Sequence, residues 1–174
     1  MPSNDVVDCR GLVQIYRVGA GEVHALRGVD ATFSAGAVTA VVGPSGSGKS
    51  TLLRSLSLME RPTAGSLEIC GVDALAAGAR AVRRLRRRSI AVVLQRPTHN
   101  LYPHLDALEH VQHALVRRTG SRRGALEALD AVGLGHRRSA RPRQLSGGEQ
   151  QRLAVASATV GGTQLILADE PTAE

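Results

Sequence analysis

Gly43, Gly48, Lys49 and Ser50 fill the pattern G-x-x-x-x-G-K-[ST], and their types suit the binding of a polyphosphate. Glycines let successive backbone N–H groups turn inward and come close to an anion. A helix starting near Ser50 aims its positive end at the same place. Lys49 can reach the β- and γ-phosphates of a nucleoside triphosphate, and the Ser50 hydroxyl can ligate Mg2+. Pro44, Ser45, Gly46, Ser47 and Thr51 complete the loop. The alternative is an ordinary Gly/Ser turn before an amphipathic helix. The β-branched run ahead of the loop, and Leu52, Leu53 and Leu56 after it, argue against that. Lys49 is also the only lysine in a chain that otherwise uses arginine, as if a compact, flexible ammonium were wanted there.

A second constellation lies at residues 165–170, an apolar run followed by Asp169 and Glu170. This is a Walker B pattern. In an open α/β sheet, ligands bind at the carboxyl ends of the strands, which suits Asp169 as a Mg2+ ligand and Glu170 as acceptor of a proton from an attacking water. Alone, it would read as an acidic strand end. The third constellation is Leu145-Ser146-Gly147-Gly148-Glu149-Gln150-Gln151-Arg152. Ser146 and Glu149 fit a capping box. Two glycines in a first helical turn each cost about 1 kcal/mol relative to alanine, which makes sense if an anion must approach that backbone.

The order of these three stretches resembles the ATP-binding cassette ATPases, with L-S-G-G-E-Q-Q-R standing between the phosphate loop and L-I-L-A-D-E-P-T. The resemblance runs from about Leu12 to Glu174. It implies a head-to-tail pair of cassettes in which the phosphate loop of one and Ser146, Gly147 and Gly148 of the other clamp each ATP. It implies that Tyr16 stacks on adenine and that Gln95 contacts Mg2+ and links ATP to a membrane-spanning permease. Glu170, Gln95 and Lys49 then carry hydrolysis, and Ser50, Gln95 and Asp169 hold the metal. The implied partners are a second copy of the cassette and the permease, with no nucleic acid. The implied location is the cytoplasm, against the inner face of the cell membrane. G-A-G-E-V-H-A-L-R-G-V-D and L-Q-R-P-T-H-N-L are most similar to the lipoprotein-release, macrolide-efflux and cell-division branch. A non-catalytic nucleotide-binding remnant, or a non-transport cassette acting on ribosomes or DNA, is the alternative.

Departures from the family pattern are Ala156-Ser157-Ala158 after the signature helix, Thr163 for a proline and Leu58 for a glycine. The histidines, at 24, 99, 104, 110, 113 and 136, all precede Asp169, so none matches the family's switch histidine. The expectation is that the chain ending at Glu174 binds nucleotide but turns it over slowly, and that residues 38–42 are left with an unpaired flank. His110 and His113 read as an exposed helix face rather than metal ligands.

These residues need elements to hold them. Strands are expected over 6–18, 22–33 (broken at Gly28), 38–42, 67–70, 90–94 and 165–168. Helices are expected from about Ser50 to before Pro62 and over 74–88, 106–118, 123–132 and 145–159. Residues 19–21, 96–105 and 139–144 read as turn, loop and linker. The fold class is α/β: a P-loop NTPase (RecA-like) core with a parallel sheet, an N-terminal antiparallel β part and an inserted helical subdomain near 106–143, all one cassette domain over 1–174. The two apolar runs at 90–94 and 165–168 read as buried parallel strands.

Composition narrows the classes. The 174 residues are 43% hydrophobic, so the chain is globular. Tyr16, Phe33 and Tyr102 are the only aromatics, so the core is aliphatic. No apolar run approaches the ~20 residues that span a bilayer, and residues 1–10 carry no signal-peptide core. Cys9 and Cys70 are too few for a disulfide framework or a metal site. The net charge of +7 is concentrated in arginine clusters at 83–88, 117–123 and 137–143. These read as solvated helix faces or contacts to an anionic membrane surface more readily than as a nucleic-acid reader, since aromatic residues for base stacking are scarce.

Overall fold

β1 (Asp5–Val18) alternates between buried and more exposed positions, as a strand covered on one face must. Val7, Cys9, Leu12 and Gln14 are buried, and the step between Cys9 and Leu12 is one of the places where the ladder register shifts. β2 (Gly21–Ser34) runs antiparallel to β1 from Val18↔Gly21 to Asp5↔Ser34. The strand continues through Gly28, but the ladder skips this residue (φ 86°), with the register shifting between Leu12↔Val29 and Val13↔Arg27, so the expected break is a bulge. β3 (Ala64–Ile69) pairs with the other edge of β1, burying Leu67 and Ile69. A short β4 (Val72–Asp73), not foreseen from the sequence, closes the sheet in the order β2-β1-β3-β4. The β3–β4 turn needs positive φ at both central residues, and Cys70 (φ 50°) and Gly71 (φ 74°) supply it.

The structure, a computed structural model, describes residues 4–19 and 21–170. Pro171 and Thr172 of the D-E-P-T stretch, Ala20 of the first turn and residues 1–3 lie outside them. The chain divides into two compact units, Met1–Arg86 and Arg87–Glu174.

In the first unit, α1 (Lys49–Leu56) buries Leu52, Ser55 and Leu56, spaced three and four apart. α2 (Ala79–Arg88), of which all but the last two residues fall in this unit, starts later than the expected residue 74 because Asp73 captures the preceding turn. Its Oδ1 accepts from the N–H groups of Leu75 and Ala76, both at 2.9 Å. Leu85 is the buried residue of α2, and Arg80, Arg83, Arg84, Arg86, Arg87 and Arg88 face solvent. Residues 38–42 correct the sequence reading. They form no strand, and Val38 and Val42 are 103% and 86% exposed. An apolar, β-branched run becomes a strand only when a neighbour satisfies its backbone, and no ladder reaches this segment among the described residues.

In the second unit, β5 (Ile90–Val93) and β6 (Leu165–Ala168) pair in parallel from Ile90↔Leu165 to Val93↔Ala168. β5 is buried as expected. β6 is not: Ile166 is 45% exposed. A strand with one neighbour and one covered face alternates, whatever its hydropathy. α3 (Ala107–Thr119), α4 (Ala125–Ala131) and α5 (Gly147–Thr159) enclose an aliphatic core with β5, led by Val111, Leu115, Leu129 and Leu153. α3 starts in a capping box, with Asp106 and Glu109 exchanging two 2.8 Å bonds between side chain and backbone, and it ends at Gly120 in the left-handed region.

Candidate functional site

The phosphate loop belongs to the first unit. Gly48 enters α1 at φ 93°, and a Cβ there would sit 2.5 Å from the Ala25 carbonyl oxygen, so the loop approaches β2 as only glycine permits. No side chain caps α1. Its first-turn N–H groups therefore remain available to an anion. Lys49 Nζ donates to the carbonyls of Gly43 (2.8 Å) and Pro44 (2.9 Å), folding the ammonium back across the loop. The Ser50 side chain begins the exposed side of the helix.

Tyr16 sits near the end of β1, opposite Val23. Its hydroxyl donates to Glu60, a partner that the sequence reading did not anticipate, and Glu60 lies 3.5 Å from Arg54. Nothing in the spacing of Tyr16 and Glu60 announces this pairing; the fold of residues 57–64 makes it.

In the second unit, the ends of β5 and β6 bring Gln95 and Glu170 together. Gln95 Nε2 donates to Glu170 Oε2 at 2.6 Å. The Asp169 N–H donates to Val93 O at 2.9 Å, extending the parallel ladder by one bond. Glu170 lies at φ 45°, uncommon for a residue with a side chain. Asn100, which sequence reasoning passed over, holds the segment beside Gln95 through its carboxamide. An asparagine in a Pro-containing turn is too ordinary a signal to have revealed it.

The capping box expected at the head of α5 forms. Ser146 Oγ accepts from Glu149 N–H at 3.3 Å, and Glu149 Oε2 accepts from Ser146 N–H at 2.8 Å. That backbone bond from Ser146, helped by the Ser146 hydroxyl and by Arg137 and Arg152, holds the Glu149 carboxyl below the usual range. Gly147 and Gly148 occupy the first turn, with Gly147 exposed.

His110 corrects another reading. It is 4% exposed, not on an open face. Its Nδ1 is bonded to Asp106 O, and its Nε2 accepts from Tyr102 N–H, both at 2.7 Å. These bonds define a neutral ring, and desolvation pushes its pKa down. His113 stands edge-on to Tyr102. Among the described residues, no three His, Cys, Asp or Glu side chains gather as a metal site.

Residues 26–173 match the family described as ABC transporter. A lipoprotein-releasing system ATP-binding protein, LolD 2 of Caulobacter vibrioides, is 45% identical over 174 residues, covering 98% of this chain and 75% of that protein. An uncharacterized ABC transporter ATP-binding protein of Thermotoga maritima is 45% identical over 163 residues, covering 91% of this chain and 69% of that protein. Among solved structures, the dimeric post-hydrolysis cassette MJ0796 with ADP and Pi has a TM-score of 0.85 at 34% identity, over 95% of this chain and 74% of that one.

Proposed function

Because the chain belongs to the ABC transporter family, we propose that it is the ATP-binding and ATP-hydrolysing subunit of a transporter, coupling nucleotide turnover in a head-to-tail cassette pair to transport through a separate permease. The observation that carries this reading is the phosphate loop itself, an uncapped helix N-terminus with the chain's only lysine folded over it. In turnover, Lys49 exchanges the two loop carbonyls for the β- and γ-phosphate oxygens. Tyr16 stacks on the adenine. Ser146, Gly147 and Gly148 offer the start of α5 to the γ-phosphate held by the other copy.

The donors Ser50, Gln95 and Asp169 fit Mg2+, because hydroxyl, amide and carboxylate are the hard oxygen ligands it takes. The metal would supply charge neutralisation for the phosphates. The chain's own contribution to hydrolysis is Glu170, oriented through Gln95, as the acceptor of the proton from the attacking water. No helix among the described residues is long and apolar enough to cross a membrane. The second cassette is a further copy of this chain, and the pair works on the inner face of the membrane.

The test is Glu170→Gln in a MgATP turnover assay. The carboxamide keeps an acceptor for Gln95 but takes no proton, so phosphate release should fall by about 10²- to 10⁴-fold while ATP binding is kept. Unchanged turnover would remove Glu170 from the mechanism.

A further inference from the structure

The hydrogen bonds around the end of β5 leave Gln95 held from both sides. The ladder to β6 ends with Asp169 N–H donating to Val93 O at 2.9 Å. The next residue, Leu94, lies beyond β5 and needs partners for its own N–H and C=O. Asn100 supplies them. Leu94 N–H donates to Asn100 Oδ1 at 2.8 Å, and Asn100 Nδ2 donates to Leu94 O at 2.9 Å. The carboxamide thus imitates a neighbouring peptide, adding one side-chain rung where the backbone ladder has run out. Asn100 Nδ2 also reaches Arg96 O at 3.3 Å, so the carbonyls on both sides of Gln95 point to the same amide. Behind Asn100, a short turn over Pro97–Asn100 closes with His99 N–H on Arg96 O at 2.9 Å, and Leu101 is buried in the core.

We propose that Asn100 is a positioning residue for ATP hydrolysis: by bracketing Leu94 and Arg96 it fixes the backbone of Gln95, and so the direction in which the Gln95 amide meets Glu170. The proposal rests on the hydrolytic reading of this site. The Asn100 carboxamide is committed to Leu94 and Arg96, so it acts through Gln95. Without it, two half-buried bonds to Leu94 and an exposed one to Arg96 are lost, and the peptide carrying Gln95 is free to rotate. A misplacement of about 1 Å at a reacting group can cost about 10²-fold in rate.

The experiment compares Asn100→Ala, Gln95→Ala and the double variant in the full protein. In Asn100→Ala, the Leu94 amide should lose its protection from hydrogen exchange, and the Gln95 side-chain NH2 resonances should shift as the bond to Glu170 loosens. MgATP turnover should fall about 10- to 100-fold in kcat with KM for ATP changed less than about threefold. In the Gln95→Ala background, adding Asn100→Ala should cost almost nothing further, because both changes remove one arrangement. Asn100→Asp, which keeps the acceptor for Leu94 N–H and loses both donated bonds, should behave like Asn100→Ala and covers the case in which alanine impairs folding.

A loss that multiplies fully across the double variant would show a staple for the fold alone and overturn the proposal. So would an unmoved Gln95 resonance in Asn100→Ala, a result that stands whether or not the protein hydrolyses ATP. Absence of turnover in the unaltered protein, with the Gln95 shift intact, would instead defeat the hydrolytic reading.

Discussion

Replacing Lys49 with alanine separates what the ammonium does for the loop from what it does for the ligand. In the structure Nζ already donates to Gly43 O and Pro44 O at 2.8 and 2.9 Å. Binding therefore exchanges two bonds to neutral carbonyls for two to phosphate oxygens. The ammonium's bonds are charge-assisted with either acceptor, so what phosphate adds is the attraction of opposite charges, about 1–1.5 kcal/mol per contact at about 3–4 Å in water's dielectric. The gain per exchange is then about 1–1.5 kcal/mol, and the pair about 2–3 kcal/mol. Lys49→Ala should weaken MgATP binding about 30- to 150-fold by isothermal titration. Both carbonyls lie at the exposed side of the loop and can turn to water, so the melting temperature should hardly move. Lys49→Arg should recover little, since a planar guanidinium does not replace a compact ammonium. A dissociation constant within about threefold of the unaltered protein, with the fold retained, would refute the assignment of the loop.

Tyr16→Ala should weaken ATP binding by about 1–3 kcal/mol and Tyr16→Trp should be tolerated if the ring stacks on adenine; if Tyr16→Phe is as damaging as alanine, the bond to Glu60 is what matters instead. Gly48→Ala should lower unfolding stability by at least about 1–2 kcal/mol in urea, since a left-handed alanine is strained and its Cβ meets the Ala25 carbonyl at 2.5 Å. His110, with its pKa lowered by burial against the opposing pull of Asp106 and with His113 and His104 adding to the lowering, binds its proton more readily unfolded than folded. Its contribution is therefore complete above the unfolded value of about 6.5 and is lost as pH falls through the folded one, so melting temperature should drop on acidification more steeply than in His110→Gln.

The residue chemistry of this chain is local in sequence, and that is why much of it was legible there. The glycines and Lys49 of the phosphate loop, the capping box at Ser146 and the acidic pair after β6 each sit within a few residues of the groups they serve. Their spacing alone specifies the turn or helix start that presents them. The long alternation of β1 announced itself for the same reason. What sequence could not decide depends on partners far along the chain. Residues 38–42 have every local mark of a strand and are not one, because a strand exists only through its neighbours' hydrogen bonds. β6 and β5 look alike as apolar runs, yet only β5 is buried, since burial depends on what packs against each face. His110 reads as a surface residue until the loop after β5 folds Tyr102 over it. Tyr16 finds Glu60 across 44 residues, and Gln95 finds Glu170 across 75. A backbone and its nearest neighbours decide the first kind of feature. The second kind needs loop closure over long separations, and its entropy is repaid only by the packing of the whole unit.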